Sequence, residues 1–241
     1  MSTIYRGVLA ELGPRIVDGS LPVGATITLE SICEEYAVSR TIAREVVQVL
    51  VSMGLVESRR RTGIRVLPET SWDAFDPAVI RWRLEGPRRA EHLAELTELR
   101  AAVEPAAAAL AATSADEGQR AEVVRLAATM EESGAAGDLR AFLEQDIAFH
   151  RLLLSASRNP MFAGLGDVVE EVLRGRTDHH LMPREPKPEA RRLHSMVAEA
   201  VAQNRPEVAR SAMTTICLEV VSGIAEAAGA GRDDEVPTGN D

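Results

Sequence analysis

The sequence predicts a mainly α fold in two parts, a small N-terminal unit of three helices closed by a two-stranded hairpin and a C-terminal all-α bundle of six helices. Three observations carry this expectation. Apolar residues recur at helical spacing in segment after segment. Aromatics make up only 3% and alanine is abundant, which suits closely packed helices better than a sheet sandwich. At 241 residues the chain exceeds the usual size of one compact domain, so two cores are expected.

Ile4 to Asp18 carries Ile4, Val8, Leu9, Leu12, Ile16 and Val17 on one helical face and ends in Gly19-Ser20 and the turn Leu21 to Gly24. Thr28 to Tyr36 reads as a short second helix capped by Thr28, and Ala37-Val38 turns the chain into a third. There Ser39 is the N-cap, and Ile42, Val46, Val49 and Leu50 fall at i, i+4, i+7 and i+8 as a core-facing stripe. The other face shows Arg40, Thr41 and Arg44. Gly54 stops this helix, Leu55 to Ser58 reads as a strand, Arg59 to Gly63 as a tight basic turn, and Ile64 to Val66 as the return strand.

The net charge of −10 argues against a protein that coats nucleic acid along its full length. Between residues 39 and 66, however, six arginines stand against only Glu45 and Glu57. Three consecutive arginines in a hairpin turn repel one another unless an anion meets them. An arginine at the start of a helix can grip a guanine edge or a phosphate with paired donors. The expectation for residues 1–70 is therefore a winged helix-turn-helix bound to double-stranded DNA.

At these residues the chain resembles the GntR superfamily of bacterial transcription regulators. Val38-Ser39-Arg40-Thr41 with Arg44-Glu45, Met53-Gly54-Leu55-Val56-Glu57 and the basic wing with Gly63 follow the family pattern in the same order. The resemblance implies that Arg40 and Arg44 contact operator bases or phosphates, that Ser39 and Thr41 lie at the groove, and that the wing tip, with Arg61 and Gly63, enters the adjacent minor groove. One departure stands out. Where the family usually has Pro-Ser-Glu-Arg opening the second helix, this chain has Ile27-Thr28-Leu29-Glu30, so a commonly DNA-contacting arginine is replaced by Glu30.

Residues 71–87 are expected to form a packed linker. Trp72, Phe75 and Trp82 are too many large rings for a floppy tether, and Pro77 after Asp76 marks the first turn of a short helix. The pattern around them looks like that of galactonate-operon repressors in the FadR-type branch of the family. Residues 88–229 read as six helices, 88–113, 116–136, 139–157, 160–178, 187–204 and 206–229. Asp116 caps, Gly134 and Gly137 end, Asn159-Pro160 restarts, Pro183 to Pro188 is a loop, and Arg205-Pro206 turns. His179-His180 beside Asp178 offer a second metal tract, though at a helix end they fit better as dipole partners. Residues 230–241 are Gly- and Asp-rich and are expected to be a flexible tail.

Asp146 and His150 are four apart on one predicted helix and so are neighbours on its surface. His194, on the fifth bundle helix, can converge from the opposite wall. One carboxylate and two imidazoles suit a divalent transition metal such as Zn²⁺, with positions left open for water or an anionic ligand. Spacing alone is better served by a plain hydrogen-bonded Asp146–His150 pair and a surface His194. The Asp146-x-x-x-His150 pattern, His194, Glu98-Leu99-Arg100 with Glu104, and Arg158-Asn159-Pro160 look like the FCD effector domain of FadR-type regulators. That resemblance implies Asp146, His150 and His194 as metal ligands. Many relatives supply a further histidine on the last helix; here Ile216 stands in its place. Arg100 faces inward if Leu96, Leu99 and Val103 mark the core side, and it needs an anion from either Glu104 or an effector carboxylate. Asn159 can donate to a bound hydroxy acid or simply cap the helix at Pro160.

Cys33 and Cys217 form no CxxC pair and read as buried thiols in a reducing cytoplasm. There is no secretory n-region and no run of 18 uncharged apolar residues, so the chain is expected to be cytoplasmic and free of the membrane. The combined reading is a homodimeric repressor of a sugar-acid operon, released by a small carboxylate such as galactonate or gluconate. Two rivals remain at this stage. One is a metal-dependent hydrolase with an accessory winged helix, against which the chain offers no HExxH or GxSxG; the other is an effector-independent DNA-binding dimer.

Overall fold

The computed structural model describes residues 3–59, 63–178 and 188–230. The readings made for Arg61 at the wing tip, His179-His180, the loop before Pro188 and the tail beyond residue 230 lie outside the described residues. The chain divides into two units, residues 1–89 and 90–241.

The first unit runs α1 (Thr3–Val17), β1 (Thr26–Ile27), α2 (Leu29–Glu35), α3 (Arg40–Ser52), β2 (Val56–Arg59), β3 (Gly63–Val66), a 3₁₀ turn (Glu69–Ser71) and α4 (Pro77–Glu85). Side-chain caps begin α2, α3 and α4. Thr28 Oγ1 accepts from Ser31 N at 3.0 Å while Ser31 Oγ accepts from Thr28 N at 3.1 Å, a reciprocal box at the start of α2. The buried stripe of α3 is Ala43, Val46, Val47 and Leu50. Ile42 and Val49 lie at its margins, because α1, α2 and β2 all pack against this helix and widen its covered face.

The sheet has three antiparallel strands in the order β1-β3-β2, where a two-stranded hairpin was expected. Thr26–Ile27 pairs with Ile64 and Arg65; two residues carry no alternation from which a strand can be read. Gly63 has φ +88° and sits opposite Arg59. A side chain there would also press on the Ile27 carbonyl and Thr26, so glycine answers both the turn and the close approach of β1.

Asp76 caps α4 by accepting from Ala78 N and Val79 N at 2.8 and 3.2 Å, with Pro77 in the first turn. Val79 and Trp82 join the core of the first unit. The Trp82 ring fills the space that a methyl on Gly13 of α1 would take, so the helices meet ring to backbone. Trp72 is part-buried and donates to Leu67 O at 3.2 Å, whereas Phe75 is exposed.

The second unit contains α5 (Arg89–Ser114), α6 (Glu117–Ala136), α7 (Leu139–Ala156), α8 (Pro160–Ala163), α9 (Gly166–Asp178), α10 (Pro188–Ala202) and α11 (Pro206–Ala230). The helix expected over 160–178 is split. Asn159 and Pro160 start a single turn, and Gly164 and Gly166, poor helix formers, flank the break. Ala108, Ala111 and Ala112 of α5 belong to a core that includes Met130, Phe149, Leu153, Val197 and Met213. Among the described residues no helix is long and apolar enough to cross a membrane.

Arg120 of α6 ties two helix ends together. Its Nε donates to Ala115 O at 3.0 Å and Nη2 to Ala112 O at 2.8 Å, beyond and within the last turn of α5, and Nη1 donates to Val201 O at the end of α10. These are carbonyls that helix ends leave without intrahelical donors. Arg120→Ala is expected to cost about 2–3 kcal/mol, read as a lower melting temperature. Arg120→Lys should recover only part, since a point charge cannot span three acceptors as a planar fork does.

Candidate functional site

The exposed side of α3 presents Arg40, Thr41, Arg44 and Gln48 in a row. Gln48 escaped the sequence reading, although its place four residues after Arg44 puts it on the same stripe. Ser39 Oγ accepts from Ile42 N at 3.4 Å, so its hydroxyl serves the helix start. Arg40 is paired with Glu30 of α2. On the hairpin Arg65 is exposed opposite Glu57, and Arg59 Nε lies 3.1 Å from Glu57 Oε1. The carboxylates Glu30 and Glu57 thus offset part of the positive charge of Arg40 and Arg59.

The second cluster lies inside the bundle. Asp146 and His150 come from α7, His194 from α10, Arg100 and Glu104 from α5, and Arg176 from α9. The first five are all under 5% exposed. Asp146 Oδ1 lies 3.2 Å from His150 Nε2 and 3.1 Å from His194 Nε2. None of these three atoms makes a well-formed hydrogen bond. His194 Nδ1 sits 2.7 Å from Ala190 O and must donate to it, which leaves Nε2 as a bare lone pair aimed at a carboxylate oxygen. Two buried acceptors at that distance repel unless a cation or a proton lies between them.

The surroundings orient the same three atoms. Asp146 Oδ2 accepts from Arg176 Nη2 at 2.6 Å, so Oδ1 is the oxygen left over. Glu104 Oε2 lies 2.6 Å from His150 Nδ1, in a bent contact that favours the proton on Nδ1 and a lone pair on Nε2. Glu104 is itself held by Arg100, with Nε to Oε1 at 2.6 Å and Nη2 to Oε2 at 3.2 Å. Asp146, His150 and His194 offer one donor atom each within 4.8 Å of one another. A carboxylate and two imidazoles with backed-up tautomers fit a divalent transition metal, and this group can hold one.

Electrostatics keep the cluster ionic. Burial opposes charge on Glu104, but Arg100 and then His150 outweigh it and hold this carboxyl far below the usual range. Asp146 is likewise held low against burial, by His150 and His194 and then by Arg176. Burial, then the charge of Glu104, pushes the Cys217 thiol up to about 12; its Sγ lies 3.9 Å from Glu104 Oε2.

The structure brings Arg100, Glu104, Asp146, His150 and His194 together. It does not bring Asn159 to them. Asn159 Oδ1 accepts from Met161 N at 3.0 Å as the cap of α8, beyond the end of α7. Ile216 is buried on α11, and its neighbour Cys217 is the α11 side chain that reaches Glu104. Arg176 was missed. It falls three and seven residues after Leu173 and Val169, on the buried face of α9, and an arginine on an apolar stripe is the signal that pointed to it.

Glu104→Ala leaves the Arg100 guanidinium buried without its anion, and about 3–5 kcal/mol of stability should be lost in urea unfolding. Removing both charges, in Glu104→Gln with Arg100→Met, should be milder than Glu104→Ala alone.

Comparison with known proteins matches residues 4–66 to the pattern described as bacterial regulatory proteins, gntR family, and residues 95–218 to the FCD domain. The Galactonate operon transcriptional repressor of Escherichia coli (strain K12) is 30% identical over 211 residues, 87% of this chain and 91% of its own. The Glc operon transcriptional activator of the same organism is 28% identical over 208 residues, 82% of this chain and 79% of its own. Among solved structures, the Listeria monocytogenes protein Lar, which its description says controls expression of the agr system, superposes with a TM-score of 0.61 at 18% identity, covering 94% of this chain and 98% of its own. With both halves matched in order, the chain belongs to the GntR family of bacterial regulatory proteins, in the FadR branch that carries an FCD domain, and is a DNA-binding transcription regulator rather than an enzyme.

Proposed function

We propose that this regulator is a homodimeric repressor of a sugar-acid catabolic operon, released when a small carboxylate such as galactonate or gluconate binds the helical bundle. The observation that carries the effector half is the set of unsatisfied atoms at one buried point: Asp146 Oδ1, His150 Nε2 and His194 Nε2, with Arg100 Nη1 also lacking a hydrogen-bond partner. Asp146, His150 and His194 would hold a divalent ion, most simply Zn²⁺, which when bound supplies Lewis-acid attraction for an anionic oxygen. Arg100 and Arg176 are already balanced by Glu104 and Asp146. A divalent cation therefore leaves an excess of positive charge, which a carboxylate answers, and the spare Nη1 of Arg100 is a donor for it. The likeness to a galactonate-operon repressor over most of both chains supports an aldonate as the acid.

At the other unit, Arg40, Thr41, Arg44 and Gln48 of α3 would meet the major groove, with Arg61 and Gly63 at the wing reaching the minor groove. Two copies of this face read two half-sites of a near-palindromic operator. The effector must bind the arrangement that does not fit both half-sites more tightly than the one that does.

Two measurements test the reading. Calorimetric titration of the Zn²⁺-loaded protein with galactonate, gluconate and a neutral hexose should show heat for an acid only, lost after chelator treatment and in Asp146→Ala; equal silence for every acid with metal bound would remove the effector role. Arg44→Ala should weaken operator binding by about 1–3 kcal/mol if it reads a base, and an unchanged gel shift would take Arg44 off the contact surface.

A further inference from the structure

We propose that Glu30 sets the discrimination between operator and bulk DNA by holding Arg40, an inference that rests on α3 being the helix that enters the groove. Arg40 is the first residue of α3 and Glu30 the second of α2, and Arg40 Nη2 donates to Glu30 Oε1 across the turn between them. The fold does not need this pair. The side chains of Arg40 and Glu30 are 65% and 58% exposed, and exposed pairs contribute little to stability. Glu30 also meets its own backbone N–H in the first turn of α2, a local contact that does not require the reach to Arg40, since Thr28 and Ser31 already box that helix start. A carboxylate on a phosphate-facing surface weakens attraction for any duplex, so its place there calls for a role in selectivity.

The geometry supplies that role. A guanidinium carries five N–H donors in one plane. Glu30 takes Nη2 and leaves the remaining donors available to another partner. To neutralise a phosphate, Arg40 must leave Glu30 or bring a second anion against it. At the right base pair, Arg40 keeps Glu30 and still offers donors to a guanine edge. Arg44, by contrast, has no ion-pair partner among the described residues. The first arginine of the helix is thus reserved for bases while the second remains open to phosphates. Charge on Glu30 persists at working pH, since contact with its own backbone and then with Arg40 holds its carboxyl below the ordinary range.

The test uses the full chain as wild type, Glu30→Gln, Arg40→Ala and the double variant. Binding is followed by fluorescence anisotropy between 50 and 200 mM salt, a range in which phosphate contacts separate by their salt dependence. One duplex is selected from a random pool by the wild-type protein, and the other is its scrambled counterpart. Glu30→Gln should tighten binding to the scrambled duplex about three- to tenfold and steepen its salt slope by about 0.9, one additional phosphate. The selected duplex should gain less, so the ratio of the two affinities falls. Arg40→Ala should abolish the gain from Glu30→Gln, and Glu30→Asp should retain most of the wild-type ratio. An unchanged ratio and slope in Glu30→Gln overturns the inference, as does a gain that persists without Arg40, which would mean plain repulsion by Glu30. If the wild-type protein selects no sequence from the pool, the reading of α3 fails first and this inference with it.

Discussion

Ionic groups buried in an alanine-rich bundle have to answer one another, and in this protein the α5, α7, α9 and α10 helices are held around that requirement. Arg100 needs Glu104, Glu104 faces His150, and Asp146 is engaged on its outer oxygen by Arg176. Each contact joins residues that would be costly to bury alone. Arg100 and Glu104 pair within α5 itself, four residues apart, and their side chains extend from that helix toward α7. The same cluster leaves several polar atoms without hydrogen-bond partners, three of them, Asp146 Oδ1, His150 Nε2 and His194 Nε2, close to one another.

Much of this was legible in the chain because it is local. Ser39, Asp76, Asp116 and Asp138 stand where helices begin, and each side chain accepts from a backbone amide in the first turn that follows. The winged unit was readable because its helices, Gly54 and the arginine-rich turn follow in order. What escaped was set by partners distant in sequence or by elements too short for a period. Thr26–Ile27 becomes a strand only because β3 lies beside it. The break near Gly164 lies within a stretch whose apolar spacing continues on either side. Arg176 needed Asp146 from another helix to explain it.

The candidate site shows the same division. Four-residue spacing put Asp146 and His150 side by side, but nothing local ties His194 to them, and only the packing of α10 on the bundle does so. Glu104 was read as a partner for Arg100 or for a ligand. Its contacts show that it also faces His150, a task visible only once α5 and α7 are placed together. Asn159 was read either as a donor to a ligand or as the cap at Pro160, and its side chain serves as that cap.

The short strand β1 has a mechanical consequence for the winged unit. Ile27 is hydrogen-bonded into the sheet through β3, and the next residue, Thr28, caps α2. The hairpin and the second helix are therefore anchored on consecutive residues, with no slack between them. The offset between hairpin and second helix is thereby set by the backbone itself, so changes in hairpin length would alter how far the tip extends without altering where α2 starts.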